Sequence, residues 1–240
     1  MIREAARRPA FEEKAVGDYV TEVDRSSERA IEEVLLAGEP DIPMVGEEGG
    51  GTSSARYWLV DPLDGTTNFV HGFPIVGVSI ALVEEGRPVI GVIHAPFLGE
   101  TTVAAQGRGT TLERPDGSIE RLTVSKRTVG QAVVGTGFPF RKKANLDRYL
   151  RVMRRALESF EDLRRPGAAS LDLAWVAAGV FDGFFELGLG PWDVAAGVIV
   201  IQEAGGIVTD WTGHPDVLSG DILAGPPAVH AELLRLASQA

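Results

Sequence analysis

Trp58-Leu59-Val60-Asp61-Pro62-Leu63-Asp64-Gly65-Thr66-Thr67-Asn68 is the segment around which the rest of the chain is read. Residues 57–60 form a short apolar strand that delivers Asp61 at its end. Pro62 cannot continue a sheet ladder and turns the chain. Asp64-Gly65 makes a tight turn, and Thr66-Thr67 can open a helix. Asp61 and Asp64 stand three residues apart across a bend, so both carboxylates can reach one small volume, with the Leu63 carbonyl between them. Carboxylates, a backbone carbonyl and water are the hard oxygen ligands that Mg²⁺ takes. Amides at Gly65 and Thr66, beside a helix start, offer a place for a phosphate. Taken alone, the same pattern is equally an Asp-Gly turn with Asp64 as an ordinary helix cap.

Two other segments put carboxylates beside turn-forming glycines. They are Val45-Gly46-Glu47-Glu48-Gly49-Gly50 and Gly190-Pro191-Trp192-Asp193-Val194-Ala195-Ala196-Gly197. Singly, the first reads as a solvated loop and the second as an acid complementing a helix dipole. Together, three acidic, glycine-bounded turns sit at strand ends or helix starts, where α/β proteins place sites.

Around these turns, residues 25–37 read as an amphipathic helix ended by Gly38 and Pro40. Residues 75–83 and 88–94 make a hairpin, and 101–105 and 120–124 continue as strands. Residues 1–130 therefore read as an antiparallel meander carrying helices. Residues 131–240 alternate strand and helix, with strands at 132–135, 160–164, 181–186, 207–209 and 222–224. Helices are expected at 145–158, 169–179, 192–204 and 227–238. No flexible linker divides the halves, so they are expected to pack as one unit.

The 240 residues contain no cysteine, which excludes disulfides, cysteine–zinc sites, iron–sulfur clusters and thiol catalysis. No apolar run approaches the roughly 20 residues that cross a bilayer, and the N-terminus lacks the apolar core of an export signal, so the expected location is cytoplasmic. A net charge of −11 gives no overall attraction to nucleic acid or anionic membrane. It leaves room for an anionic substrate, because metal ions reverse the local field. Arg141, Lys142, Lys143, Arg148, Arg151, Arg154 and Arg155 cluster around helix 145–158, as a solvated face or a surface for a negative partner.

The paired stretches Trp58–Phe69 and Trp192–Gly197, the preceding Gly46-Glu47-Glu48 and the early Asp18-Tyr19-Val20-Thr21-Glu22-Val23-Asp24 carry a resemblance. The chain is similar, over essentially its whole length, to the inositol monophosphatase family of Mg²⁺-dependent, lithium-sensitive phosphatases. The resemblance implies a layered α-β-α-β-α sandwich of the sugar-phosphatase type, with the site between the two halves. It places one metal on Glu47, Asp61 and the Leu63 carbonyl, and a second on Asp61, Asp64 and Asp193, with a third, weaker ion near Glu47. Two ions of this kind serve in-line hydrolysis of a phosphate monoester. The attacking water is then oriented by Glu47 and the Thr66 hydroxyl, and Asp24 accepts a hydrogen bond from Thr66, unless it only caps helix 25–37.

By the same resemblance Lys14 matches a family lysine near the metal waters, the Gly65 and Thr66 amides would hold phosphate oxygens, and the contacts to the alcohol follow likewise. The alcohol is met by Glu186, Asp193 and backbone groups of Gly167, Ala168 and Ala169, with Arg164 bordering the pocket. Ala168 stands where many members carry Ser or Thr, which removes one hydroxyl contact. The implied substrate is a small polyol phosphate, first myo-inositol 1-phosphate. Fructose 1,6-bisphosphate, histidinol phosphate and 3′-phosphoadenosine 5′-phosphate are the alternatives, beside a relative with an added protein-binding role. The family also implies a homodimer. Members carry about one more helix ahead of the Lys14 region, where thirteen residues stand here.

Overall fold

The computed structural model describes residues 2–5, 10–15, 18–140, 142–215 and 217–239, without the side chains of Lys14, Ala15 and Asp18. A short helix α1 (Ile2–Ala5) and a hairpin of β1 (Phe11–Ala15) and β2 (Asp18–Thr21) lead into α2 (Glu22–Gly38). There follow β3 (Met44–Gly46), β4 (Arg56–Asp64), the short helix α3 (Thr66–His71), β5 (Gly77–Glu84), β6 (Arg87–Ala95), β7 (Glu100–Ala105), β8 (Gly109–Glu113) and β9 (Ile119–Arg121). These strands form a seven-stranded sheet in the order β3-β4-β5-β6-β7-β8-β9, antiparallel from β4 onward, with β3 parallel to β4.

The chain continues with β10 (Val133–Thr136), α4 (Leu146–Ser159), β11 (Asp162–Arg164), α5 (Ala169–Ala177), β12 (Gly183–Glu186), α6 (Pro191–Glu203), β13 (Ile207–Thr209), β14 (Ile222–Gly225) and α7 (Pro227–Ser238). Its five strands make a second sheet, β11-β10-β12-β14-β13. The β10–β11 and β10–β12 pairs are parallel and the others antiparallel.

Helices α5 and α6 lie between the two sheets. Leu173, Val176, Val194 and Val198 share one buried cluster with Leu59, Ala81 and Ile93 of the large sheet and with Phe184 and Ile222 of the small one. Both helices are consequently apolar nearly all round, as helices covered on two sides must be. On the far side of the small sheet, Tyr149 and Val152 of α4 and Leu233 of α7 pack with Phe185 and Leu223. Adjacent Phe184 and Phe185 thus serve opposite faces of β12, the two-residue period of a strand buried on both sides. With α2 against β4 on the outer face of the large sheet, the layers run α-β-α-β-α, as the resemblance implies. Gly91 lets α6 approach β6 closely, since a Cβ there would lie 2.7 Å from the Ala196 carbonyl oxygen. No helix among the described residues is long and apolar enough to cross a membrane.

Three features differ from the sequence expectations. The β1–β2 hairpin, β3 and β8 were not anticipated: charged Phe11-Glu12-Glu13-Lys14 and glycine-flanked Gly109-Thr110-Thr111 carry little strand pattern. The helix expected from residue 25 starts at Glu22, with Thr21 as its N-cap accepting from the Val23 and Asp24 amides. Asp24 is therefore the third helical residue and not the cap; its carboxylate accepts from the Thr21 amide, closing a capping box.

Candidate active site

The local geometry of the motif follows from a bulge at the end of β4. Asp61 faces Ser79 on β5, and Asp64 faces Gly77, so one extra residue is accommodated between them at Pro62-Leu63. In a regular strand, residues three apart point to opposite faces; one inserted residue restores both to the same face. Proline favours the break, having no amide to give the ladder. The Leu63 amide donates to Asp61 Oδ1 at 2.9 Å, fixing that carboxylate. Gly65 follows at φ +89°, a left-handed conformation that glycine adopts without penalty, and starts α3. Asp64 is not the cap of this helix. Its Oδ2 instead accepts from the amide of Ser170 at 2.7 Å and the Ser170 hydroxyl at 2.6 Å.

Asp193 is the third residue of α6 and accepts from the Gly190 amide at 2.7 Å, so it complements its helix start as the sequence suggested. It also joins a cluster: Glu47, Asp61 and Asp193 each present an oxygen within 4.8 Å of the others. The Glu47 loop is held by Glu28 of α2, a buried carboxylate accepting from the amides of Glu48 at 2.9 Å and Gly49 at 2.6 Å. A hydroxyl sits beside the cluster. Thr66 Oγ1 lies 3.1 Å from both Asp24 Oδ1 and the Leu63 carbonyl oxygen, and its one proton serves one of them at a time.

Burial and like charge dominate the electrostatics. Burial, then the Glu47, Asp64 and Asp193 carboxylates, hold the Asp61 proton well above the usual carboxylate range. Burial, then Asp193, push Asp64 up to about 7 against the hydrogen bonds of Ser170. Burial also raises Asp24, opposed by the Thr21 and Thr66 hydrogen bonds. Crowded, desolvated carboxylates are stabilised by a bound cation, and an all-oxygen set is the chemistry of Mg²⁺. Glu47, Asp61 and Asp193 therefore fit a divalent cation, and Leu63 and Asp64 line the same cavity beside them.

These groups line a cavity of about 370 Å³ together with Gly65, Thr66, Gly167, Ala169 and Glu186. The Glu186 carboxylate lies across Gly137 on the opposite wall. Two expected residues stand elsewhere. Arg164 is half exposed, paired with Asp162, and absent from the lining; its neighbour Arg165 takes that place, because successive residues at the end of β11 point to opposite sides. Ala168 is buried behind the wall, packed towards Gly65, while Gly167 and Ala169 face the cavity. The side chain of Lys14 lies outside the described residues.

Sequence reasoning missed Glu28, Ser170 and Asn68, which hold the site from behind. Asn68 Nδ2 donates to the Ile75 carbonyl at 2.8 Å and the Pro166 carbonyl at 2.9 Å, tying α3 to the Gly167 loop. It also missed Asp172 of α5, whose carboxyl is almost fully buried, with Oδ1 unpartnered among the described residues. Burial, then Glu186 and Asp64, push Asp172 well up, while Arg165 pulls it down.

The geometry has known counterparts. The chain is 46% identical over 222 residues to the Nus factor SuhB of Pseudomonas aeruginosa, covering 89% of this chain and 80% of that protein. Its structure matches that of the extragenic suppressor protein suhB from Bartonella henselae at 36% identity, with a TM-score of 0.92 over 100% of this chain and 93% of the other. The IMPase of Thermotoga maritima matches at 34% identity, with a TM-score of 0.89 over 99% and 91%. The model of the inositol monophosphatase family spans residues 1–240. With its acids gathered in one cavity between two sheets, and with sequence and structural likeness running through its length, the chain belongs to the inositol monophosphatase family.

Proposed function

We propose that the chain is a Mg²⁺-dependent phosphatase of small polyol phosphate monoesters, with myo-inositol 1-phosphate as its first substrate. One observation carries this reading: the Glu47–Asp61–Asp193 cluster opens into the same cavity as Glu186 and Thr66, whose hydroxyl is backed by buried Asp24. Glu47, Asp61, Asp64, Asp193 and the Leu63 carbonyl would hold two ions, with a third, weaker one near Glu47. When bound, such ions polarise the phosphoryl group and lower the pKa of water.

The protein's own groups do the rest. Thr66, donating its proton to Asp24, keeps its lone pairs for a water, and Glu47 accepts that water's second proton. The Gly65 and Thr66 amides hold phosphate oxygens. Glu186 and Asp193 accept hydrogen bonds from hydroxyls of the alcohol, next to the backbone of Gly167 and Ala169. Phosphate release from inositol 1-phosphate, fructose 1,6-bisphosphate, histidinol phosphate and 3′-phosphoadenosine 5′-phosphate, with and without Mg²⁺, tests the reading. No release from any of them would end it. Lithium inhibition and a homodimer are carried by family likeness, and are checked by inhibition assay and by light scattering.

A second reading adds a partner-binding role, which a relative's name as a Nus factor favours. Helix α4 exposes Leu146, Leu150 and Leu157 beside Arg151 and Arg154, an amphipathic basic face. The overall charge of −11 repels nucleic acid as a whole, but this face is locally basic and would take an RNA or an acidic protein as partner. Charge reversal at Arg151 and Arg154 should release a partner that Asp193→Asn retains. A partner indifferent to the reversal would remove α4 from the account.

A further inference from the structure

The cavity has two electrostatic poles. Its inner end is made of buried Asp61, Asp64 and Asp193 with half-buried Glu47. Away from them the lining carries three exposed cations, Lys142, Lys143 and Arg165, together with the single carboxylate of Glu186. The reacting phosphate belongs to the inner end, where ions on the acids offset its charge. The outer cations are left without a task in hydrolysing a neutral polyol ester.

Their placement is specific. The Arg165 guanidinium sits 5.3 Å from the ring centre of Phe138 and 5.6 Å from that of Phe140. These rings meet edge to face at 5.7 Å, and Phe138 in turn packs at 6.0 Å on Tyr149, a buried core residue hydrogen-bonded to Thr136. The Arg165 Nη1 end crosses Gly167, so close that a Cβ there would lie 2.4 Å away. Lys142 approaches from the other side, its stem laid over Gly188. Among the described residues, none of the three cations makes an ion pair within 4 Å. Both rings lie within cation–π reach of the guanidinium, which fixes the arginine head at the cavity wall, and a planar fork of N–H donors is the group that grips a carboxylate or phosphate.

We infer that Arg165, backed by Lys142 and Lys143, forms a subsite for a second anion, a phosphate or carboxylate that the alcohol portion of a tighter-binding ester would carry. This rests on the phosphatase reading for the first phosphate. It makes Arg165 a specificity-determining residue: inositol 1-phosphate engages the inner end alone and is turned over there, while a two-anion ester of similar size engages both ends and binds more tightly.

The test uses non-hydrolysable alkylphosphonates of increasing chain length, ending in hydroxyl, carboxylate or a second phosphonate. Their affinities for the full chain are measured by calorimetry in Mg²⁺, for wild type, Arg165→Gln and Lys142→Ala/Lys143→Ala. At the best chain length, an ionic terminus should bind about tenfold or more tighter than hydroxyl, the scale of one charge-assisted hydrogen-bond pair. The advantage should shrink with added salt. Comparing carboxylate with phosphonate identifies which anion is preferred.

Arg165→Gln keeps a planar, uncharged group beside the rings and should abolish most of the ratio. Because the ratio is taken within one variant, general damage to the fold cancels. Equal affinities in wild type, or a ratio unchanged in Arg165→Gln, overturns the inference. Failure of the phosphatase reading looks different: no ester releases phosphate in Mg²⁺, whatever the phosphonate affinities are.

Discussion

At the scale of single residues, Thr66 and Asp24 make the sharpest case. They are 42 positions apart, yet their side chains meet at 3.1 Å in a buried spot. Asp24 also accepts from Thr21, so it is held whether or not substrate is present. Under the phosphatase reading it acts through Thr66 as a positioning residue. Asp24→Asn turns an acceptor into a possible donor and allows the hydroxyl to point the wrong way. Under the phosphatase reading, kcat should fall about 10²–10⁴-fold, with Mg²⁺ affinity by calorimetry little changed; an equal loss of metal affinity would show a merely structural role.

Asp64 sets a second prediction. Its folded pKa of about 7 lies above the ordinary carboxylate value of 3.8. Between those values the folded protein binds a proton that the unfolded chain releases, so metal-free stability falls as pH rises through this window. Asp61 is shifted in the same direction. In chelator, melting temperature should therefore drop from pH 5 towards about pH 7, and saturating Mg²⁺ should raise it most at the upper end. A pH-independent effect of Mg²⁺ would contradict the site.

At the scale of elements, the question is what holds the acids in register. Glu28 does so for the Glu47 loop, accepting two of its amides from within α2. Glu28→Ala leaves both unpaired and should cost about 1–3 kcal/mol in denaturant unfolding. It should also weaken Mg²⁺ binding, which Glu28→Gln partly restores. Helix contact supplies another test. A Cβ on Gly197 of α6 would lie 2.3 Å from the Leu173 side chain of α5, so Gly197→Ala should destabilise by about 1–3 kcal/mol through overpacking.

Element scale is also where legibility in the sequence divides. Asp61, Asp64 and Asp193 were readable because proline and glycine punctuate the chain beside them, and β12 was readable because its two faces are both apolar. Glu28 and Ser170 were not: their bonds span 20 and 106 positions, and nothing local distinguishes them from an ordinary helix acid and an ordinary serine. That Arg165 rather than Arg164 lines the cavity was not legible either, because a strand end fixes alternation only once its register is known.

At the scale of the whole molecule, the site draws on three layers. Asp61 and Asp64 come from the end of β4 in the large sheet, Glu186 from the end of β12 in the small one, and Asp193 from the helix packed between them. Under the proposed ion ligation, chemistry depends on how these layers are stacked, and a core change far from the cavity can reach it by shifting one layer against another. Under that ligation, an ion held by Asp61 and Asp193 would tie the large sheet to the helix layer. Stripping it with chelator should quicken amide hydrogen exchange at the tip of β4 and the first turn of α6 together, while α4 and α7, outside the small sheet, keep their protection.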